Sequence, residues 1–199
     1  MERNTMSGQA RIDPARTALV LMDFQPAVLA SLGEHAEAPL VNAEKALGWA
    51  RDNNVQVAHV RVAFRDDDLD AIPSQNKTFG TLKGRNVLID GTADCDIVDR
   101  LQPGAGEIVV RKTRIGSFST TDLDEQLRQA GVRTLILAGV RTSGVTLTTV
   151  REAADNDYGL FVLSDACADS DTHVHDVLTG KVFPHQAEVI TTAELDALL

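Results

Sequence analysis

The chain has 199 residues, two cysteines and a formal net charge of −10 at pH 7. This length fits a single domain with a full core. The negative charge argues against nucleic acid or anionic membranes as partners. Two isolated cysteines, without CxxC or Cys/His spacing, indicate neither a disulfide framework nor a zinc site. The polar N-terminal stretch lacks the apolar core of a signal peptide, and no apolar run is long enough to span a membrane, so we expect a cytoplasmic protein.

Apolar runs and helical patterns alternate along the chain. We expect an N-terminal tail over residues 1–14 and one domain over 15–199. The predicted strands cover residues 17–22, 55–62, 107–112, 135–138, 159–163 and 186–190. The predicted helices cover residues 39–53, 93–101, 121–130, 147–154, 171–183 and 193–199. This alternation predicts an α/β fold with three layers, doubly wound and Rossmann-like, in which a six-stranded, mostly parallel sheet has helices on both faces.

Two connections of this predicted fold stand out. Residues 64–91 form a polar loop longer than a compact connection needs, and such loops are often functional. Its acidic run, residues 66–68, is interpreted as solvated. Residues 141–145, called the elbow below, form a sharp turn between the fourth strand and the helix that follows it. Helix N-termini at this end of a parallel sheet offer free N–H groups to ligands.

Charged residues stand directly after several predicted strands. Asp23 follows the first strand, Lys112 ends the third, and Asp165 follows the fifth. At the carboxyl end of a parallel sheet such groups are partly desolvated, and their pKa values can shift. An Asp and a Lys brought together there could exchange protons with a substrate. They could equally be solvated loop residues or a structural ion pair.

Four separated segments carry a family resemblance: TALVLMDFQP, IVVRKTRIGSF, LILAGVRTSGVTLTTVREAADNDY and LFVLSDACAD. Together they resemble the isochorismatase-like hydrolase superfamily over residues 17–192. The resemblance implies a six-stranded parallel sheet and catalytic roles for Asp23 and Lys112. It also implies a cis peptide bond between Val140 and Arg141 that turns backbone N–H groups toward the substrate.

The elbow departs from the family's commoner pattern. Cysteine hydrolases of this family read GxxTxxC, and here Val145 stands at the cysteine position. Valine cannot be a nucleophile, and Cys95 and Cys167 lie in other segments of the chain. Ser143 and Thr146 flank the position, but hydroxyl side chains near a helix start more often cap the helix. We therefore expect chemistry without a cysteine nucleophile.

Isochorismatases proper lack that cysteine and cleave a vinyl ether, releasing pyruvate. That reaction needs a protonated Asp23, whose pKa burial would raise and Lys112 would lower. The first hypothesis is thus a cofactor-free hydrolase that acts on a small, anionic metabolite by Asp/Lys acid–base catalysis. The alternative is a catalytically silent member that binds a small ligand or serves as an assembly partner. A third hypothesis is an amidase that uses bound water.

The residues predicted to contact the substrate are Gln25, Val140, Arg141, Gly144, Val145 and Phe118. Arg141 could bind a substrate carboxylate through two hydrogen bonds, or face solvent or a neighbouring subunit. Gln25 could face the pocket or be a loop-capping amide. Phe118 could line the pocket, although an apolar residue there is more often part of the core.

The same family resemblance leads to expectations about metal binding and about the oligomeric state. Metal-binding members begin with D-x-H, and Gln25 occupies the histidine position, so no metal site is predicted. His173 and His175 are expected on the surface, because residues two apart on a helix do not share a face. Family members commonly form dimers or tetramers, so we expect a homodimer or homotetramer with a small-molecule substrate.

Overall fold

The computed structural model, which describes residues 11–82 and 84–199, has one six-stranded parallel sheet. The strands are β1 (Thr17–Met22), β2 (Gln56–Val62), β3 (Ile108–Lys112), β4 (Thr134–Val140), β5 (Gly159–Ala168) and β6 (Glu188–Ile190). Their order across the sheet is β3-β2-β1-β4-β5-β6. The strand order reverses between β1 and β4, where open α/β sheets bind their ligands.

Helices cover both faces of this sheet. They are α1 (Pro26–Ala30), α2 (Glu37–Asp52), α3 (Asp66–Asp70), α4 (Leu123–Gln129), α5 (Leu147–Asp155) and α6 (Thr172–Val177). Alternate residues of β1 point to opposite faces: Leu19 packs in one core cluster with Leu47 of α2, and Val20 packs in another with Val150 of α5. The predicted three-layer α/β fold is confirmed.

Several predicted helices take tighter or wider forms. The predicted helix 93–101 is wrong: two separate 3₁₀ turns, Ala93–Cys95 and Asp99–Leu101, occupy it. The segment 171–183 starts as α6 and continues as a π-helical turn, Leu178–Val182. The last helix is a 3₁₀ helix, Thr192–Leu198.

The end of the fifth strand and the state of the acidic run 66–68 also differ from the prediction. The fifth strand runs on to Ala168, because β5 pairs with β4 in two stretches separated by an irregularity in register. The acidic run 66–68 opens α3 and is not merely solvated: the Asp68 carboxylate accepts the Arg65 N–H at 2.9 Å and the Arg111 guanidinium at 2.6 Å.

The predicted N-terminal tail lies mainly outside the described residues. Where the description begins, the Ile12 N–H donates to the Leu198 carbonyl at 2.9 Å. Within residues 11–82 and 84–199, no helix has the length and apolar character needed to cross a membrane.

Candidate active site

Asp23 is the first residue beyond β1, near the middle of the sheet. Its φ of 61° places it in the left-handed region, which aspartate tolerates better than most residues. Its N–H donates to the Val60 carbonyl of β2 at 2.8 Å, which fixes the turn. Only 6% of the residue is exposed, so the carboxylate is held at the carboxyl end of the sheet and largely out of water.

Lys112 is the last residue of β3 and lies in register with Val62 of β2. Because β2 separates β3 from β1, the lysine side chain reaches across the end of β2 to meet Asp23. Its Nζ lies 2.8 Å from Asp23 Oδ2 and donates to the Ile115 carbonyl at 2.5 Å. The side chain is almost fully buried. The structure thus brings the two side chains into direct contact.

The balance of effects on Asp23 favours its neutral form. Burial raises the pKa of this carboxyl and outweighs the attraction and hydrogen bond of Lys112, which lower it. Lys112 contacts only Oδ2, and the buried Oδ1 has no hydrogen-bond partner in the described part of the chain. A buried polar atom left in this way is unusual and points to function.

The elbow lies beside β1 at the end of β4. The Val140–Arg141 peptide bond is cis, as predicted. A π-helical turn, Thr142–Thr146, then leads into α5. The Gly144 N–H donates to the Arg141 carbonyl at 3.1 Å and is therefore engaged within the elbow itself.

Val145 and the two cysteines are all buried. Val145 is 2% exposed and packs in the same core cluster as Met22 and Cys167. Burial raises the pKa of both the Cys95 and the Cys167 thiol to about 11. Neither thiol is therefore ionised near neutral pH, and a thiolate is the reactive form.

Gln25 is fully buried and occupied by protein hydrogen bonds. Its Oε1 accepts the Val62 N–H at 2.8 Å, and its Nε2 donates to the Val62 and Cys95 carbonyls at 2.9 and 2.6 Å. Of the two interpretations of this residue, the geometry favours the loop-capping amide. Gln25 joins the end of β2 to the 3₁₀ turn at Cys95 and supports the turn that carries Asp23.

An isochorismatase domain model matches residues 17–194. The chain belongs to the isochorismatase family. It is 31% identical over 175 residues to the ureidoacrylate amidohydrolase RutB of Agrobacterium fabrum, covering 78% of this chain and 77% of that protein. It is 29% identical to the uncharacterised isochorismatase family protein YwoC of Bacillus subtilis, covering 95% of this chain and 97% of that protein.

Solved structures agree with this assignment. A cysteine hydrolase from Pseudomonas syringae pv. phaseolicola superposes with a TM-score of 0.86 at 26% identity, over 98% of each chain. An isochorismatase family protein from Desulfovibrio vulgaris superposes with a TM-score of 0.82 at 28% identity, over 92% of this chain and 97% of that one. The Asp23–Lys112 pair thus lies on an isochorismatase-family scaffold.

In this isochorismatase-family protein, Phe118 and Arg141, which were predicted to contact the substrate, have protein partners. The Phe118 ring stacks on Tyr158, with centroids 6.1 Å apart, at the amino end of β5. The prediction that Phe118 lines the pocket is therefore corrected in favour of a core role. The Arg141 guanidinium donates to the Ser170 hydroxyl at 3.1 Å and to the Ser31 carbonyl at 3.4 Å, so its present partners are uncharged.

The sequence analysis did not predict the roles of two residues, Asp169 and His175, that hold the elbow by hydrogen bonds. Asp169 accepts the Ser143 N–H at 2.7 Å. Burial opposes ionisation of Asp169, but hydrogen bonds from Ser143 and nearby backbone N–H groups outweigh it and lower the pKa. His175 Nδ1 lies 2.8 Å from the Thr142 hydroxyl, so this histidine is not a free surface residue. The only available signal was the position of Asp169 directly after an apolar run.

Asp165 also has a structural role. Its carboxylate accepts the Thr192 N–H at 2.9 Å and the Thr192 hydroxyl at 2.6 Å. It therefore anchors the start of the C-terminal 3₁₀ helix to β5. Of the three charged strand-end residues, the structure brings together only Asp23 and Lys112.

Proposed function

We propose that this isochorismatase-family protein hydrolyses a small anionic metabolite, with Asp23 and Lys112 as its acid–base pair and without a cysteine nucleophile. The observation that carries the proposal is the state of Asp23. Its pKa is raised by burial, and its Oδ1 has no protein partner among the described residues. A carboxylic acid whose pKa is raised by burial is a better proton donor near neutral pH than an exposed one.

Vinyl-ether hydrolysis is the model reaction. Asp23 gives its proton to the terminal carbon of the enol ether, which leaves an oxocarbenium ion and a carboxylate. Water adds to the oxocarbenium carbon and returns a proton to Asp23. The resulting hemiketal then breaks into an alcohol and pyruvate. Lys112 stabilises the Asp23 carboxylate between the two proton transfers, because its ammonium already contacts Oδ2 at 2.8 Å.

Independence from cysteine rests on three side chains. Val145 occupies the position at which the family's cysteine hydrolases carry their nucleophile. The pKa of the Cys95 thiol and that of the Cys167 thiol are both raised to about 11, and both side chains are buried. Covalent catalysis by either thiol would require ionisation at a site that disfavours charge.

Amide hydrolysis is the second candidate, because the chain is 31% identical to a ureidoacrylate amidohydrolase. Without a nucleophilic thiol, water would have to attack the carbonyl, and Asp23 would act as the base. A base must be ionised, whereas the raised pKa of Asp23 favours the acid. The two mechanisms therefore differ in pH dependence: the acid mechanism slows as pH rises through the pKa of Asp23, and the base mechanism speeds up.

The test measures pyruvate release from isochorismate and ammonia release from ureidoacrylate, for the wild type and for Asp23→Asn. Asn keeps the side-chain shape and the left-handed backbone conformation but cannot donate an acid proton. Asp165→Asn is the matched control, because Asp165 binds Thr192 and not Lys112.

We expect pyruvate from the wild type and the control, and a loss of at least about a hundredfold in Asp23→Asn, the typical contribution of a positioned acid. Full activity of Asp23→Asn would refute the acid role. Binding of the substrate without turnover by the wild type would favour the silent, ligand-binding alternative. Ammonia release that rises with pH would favour the amidase.

A further inference from the structure

A cavity of about 290 Å³ opens beside the loop that follows β3, and neither Asp23 nor Lys112 is among the residues that line it. Its walls come from the loop after β3, from α5 and from residues 76–79. Ile115 lines it, and the carbonyl of the same residue accepts the Lys112 ammonium at 2.5 Å. Thr148 lines it too, and its hydroxyl donates to the Gly144 carbonyl of the elbow at 3.0 Å. The cavity thus borders both segments that frame the Asp23–Lys112 pair.

We propose that Arg114, in the wall of this cavity, binds the carboxylate of the substrate. The inference rests on the proposed function for the reaction and adds the group by which the substrate is recognised. It makes the substrate a small carboxylate whose reacting bond lies next to the bound carboxylate, because Arg114 follows Lys112 by only two residues.

The charges around the cavity support this role. Arg114 is the one charged residue that the described chain places in its wall; the other lining groups are hydroxyl, amide or apolar. The protein as a whole carries a net charge of −10, so a cavity with a cation and no carboxylate in its wall is unlike the rest of the molecule. An anion would be attracted to it and held away from the acidic surface.

Arg114 also lacks the ion pairs that its neighbours have. Arg111, three residues earlier, binds the Asp68 carboxylate at 2.6 Å, and Arg61 binds Asp90 at 2.8 Å. For Arg114, by contrast, no ion pair exists within residues 11–82 and 84–199, and its Nη1 donates only to the adjacent Thr113 carbonyl at 2.6 Å. The remaining N–H groups of its planar fork suit a carboxylate.

The nearby Glu152 does not neutralise this arginine. Its carboxylate packs against Gly116, where it would overlap any added Cβ, and accepts the Phe118 N–H at 3.2 Å. Glu152 is not part of the cavity wall. The hydroxyls of Thr78 and Ser119 supply further donors for a bound anion. A volume of about 290 Å³ is at the lower end for ligand pockets, which fits a small metabolite.

The first experiment measures binding without turnover. Pyruvate, the product of the model reaction, is titrated into the wild type and into Arg114→Gln, Arg114→Lys and Arg151→Gln, and the dissociation constant is read by NMR. Arg151→Gln is the matched control, because Arg151 is an exposed residue of α5 that binds Gln186. We expect Arg114→Gln to weaken binding about tenfold or more, Arg114→Lys to restore part of it, and the control to match the wild type.

The second experiment measures turnover of 2-methoxyacrylate, a minimal vinyl-ether carboxylate, and of its neutral methyl ester. Arg114→Gln should raise KM for the anion about tenfold and leave KM for the ester unchanged. Both experiments include Arg141→Gln, since Arg141 is the competing cation.

The outcomes separate this inference from the proposed function. Pyruvate binding that depends on Arg114, without turnover of either compound, would support the carboxylate site and count against the hydrolase. Turnover that is unchanged in Arg114→Gln would support the hydrolase and count against the carboxylate site. Equal pyruvate binding by Arg114→Gln and the wild type, no binding by the wild type, or a loss confined to Arg141→Gln would each overturn the role of Arg114.

Discussion

Replacing Lys112 by methionine removes the ammonium that faces Asp23 while keeping a side chain of similar length. Both partners of this pair are buried, with Nζ and Oδ2 2.8 Å apart. Removing one partner of a buried pair usually costs about 3–5 kcal/mol of stability, because the other charge is left uncompensated. Asp23 can avoid part of this cost by binding a proton, so the cost should depend on pH.

The sign of that dependence follows from the direction of the pKa shift. The pKa of Asp23 in the folded protein lies above the ordinary value of an aspartate side chain. Stability from the protonated carboxyl is therefore fully present below that value and is lost as pH rises through the folded pKa. Each pH unit within this window lowers the free energy of unfolding by about 1.4 kcal/mol. Without Lys112 the folded pKa rises further, so the window extends to higher pH.

Urea unfolding of the wild type and Lys112→Met at about pH 5 and about pH 8 tests this reasoning. We expect Lys112→Met to be destabilised more at about pH 8 than at about pH 5, because the ionised form of Asp23 loses its partner. Lys45→Met is the control, because Lys45 is exposed and hydrogen-bonded to Asn42. An equal destabilisation of Lys112→Met at the two pH values would contradict a coupling between Lys112 and the titration of Asp23 within this pH range.

Two further predictions concern buried side chains near the site. Gln25→Leu should lower the free energy of unfolding by at least about 2 kcal/mol, because it leaves the Val62 N–H and the Cys95 carbonyl buried without their partner; a loss below about 0.5 kcal/mol in urea unfolding would contradict that role. Iodoacetamide at about pH 8 should modify neither Cys95 nor Cys167 in the native protein, since both thiols are buried with pKa values raised to about 11. Mass spectrometry should find both thiols alkylated only after unfolding, and native alkylation with loss of activity would argue for a cysteine nucleophile.

The Asp23–Lys112 pair was predictable because Asp23 directly follows one predicted strand and Lys112 ends another. Parallel strands bring such residues to one end of the sheet whatever their separation in sequence. The distance between them was not predictable. It depends on β2 lying between β1 and β3, and on the left-handed conformation of Asp23. The net direction of the pKa shift of Asp23 likewise depends on burial, which no sequence pattern measures.

Other residues were missed because their roles depend on tertiary contacts. The predicted fifth strand stops at residue 163, where polar residues interrupt the apolar run, whereas β5 resumes beyond an irregularity in register and delivers Asp169 to the elbow. Phe118 lies in a loop without periodicity, so its packing on Tyr158 had no local signal. The capping bond of Asp68, which makes α3 a helix, was hidden among three consecutive acids.

The hydrogen bonds from Asp169 to Ser143 and from His175 to Thr142 have a consequence for engineering. They make the shape of the elbow depend on the connection from β5 to α6 and on the start of α6, whose contacting residues lie 26 and 33 positions later in the chain. A library randomised in that connection would vary the elbow while leaving Asp23, Lys112 and the strands that carry them unchanged. New substrate preferences are therefore to be sought there before the reacting residues themselves are altered.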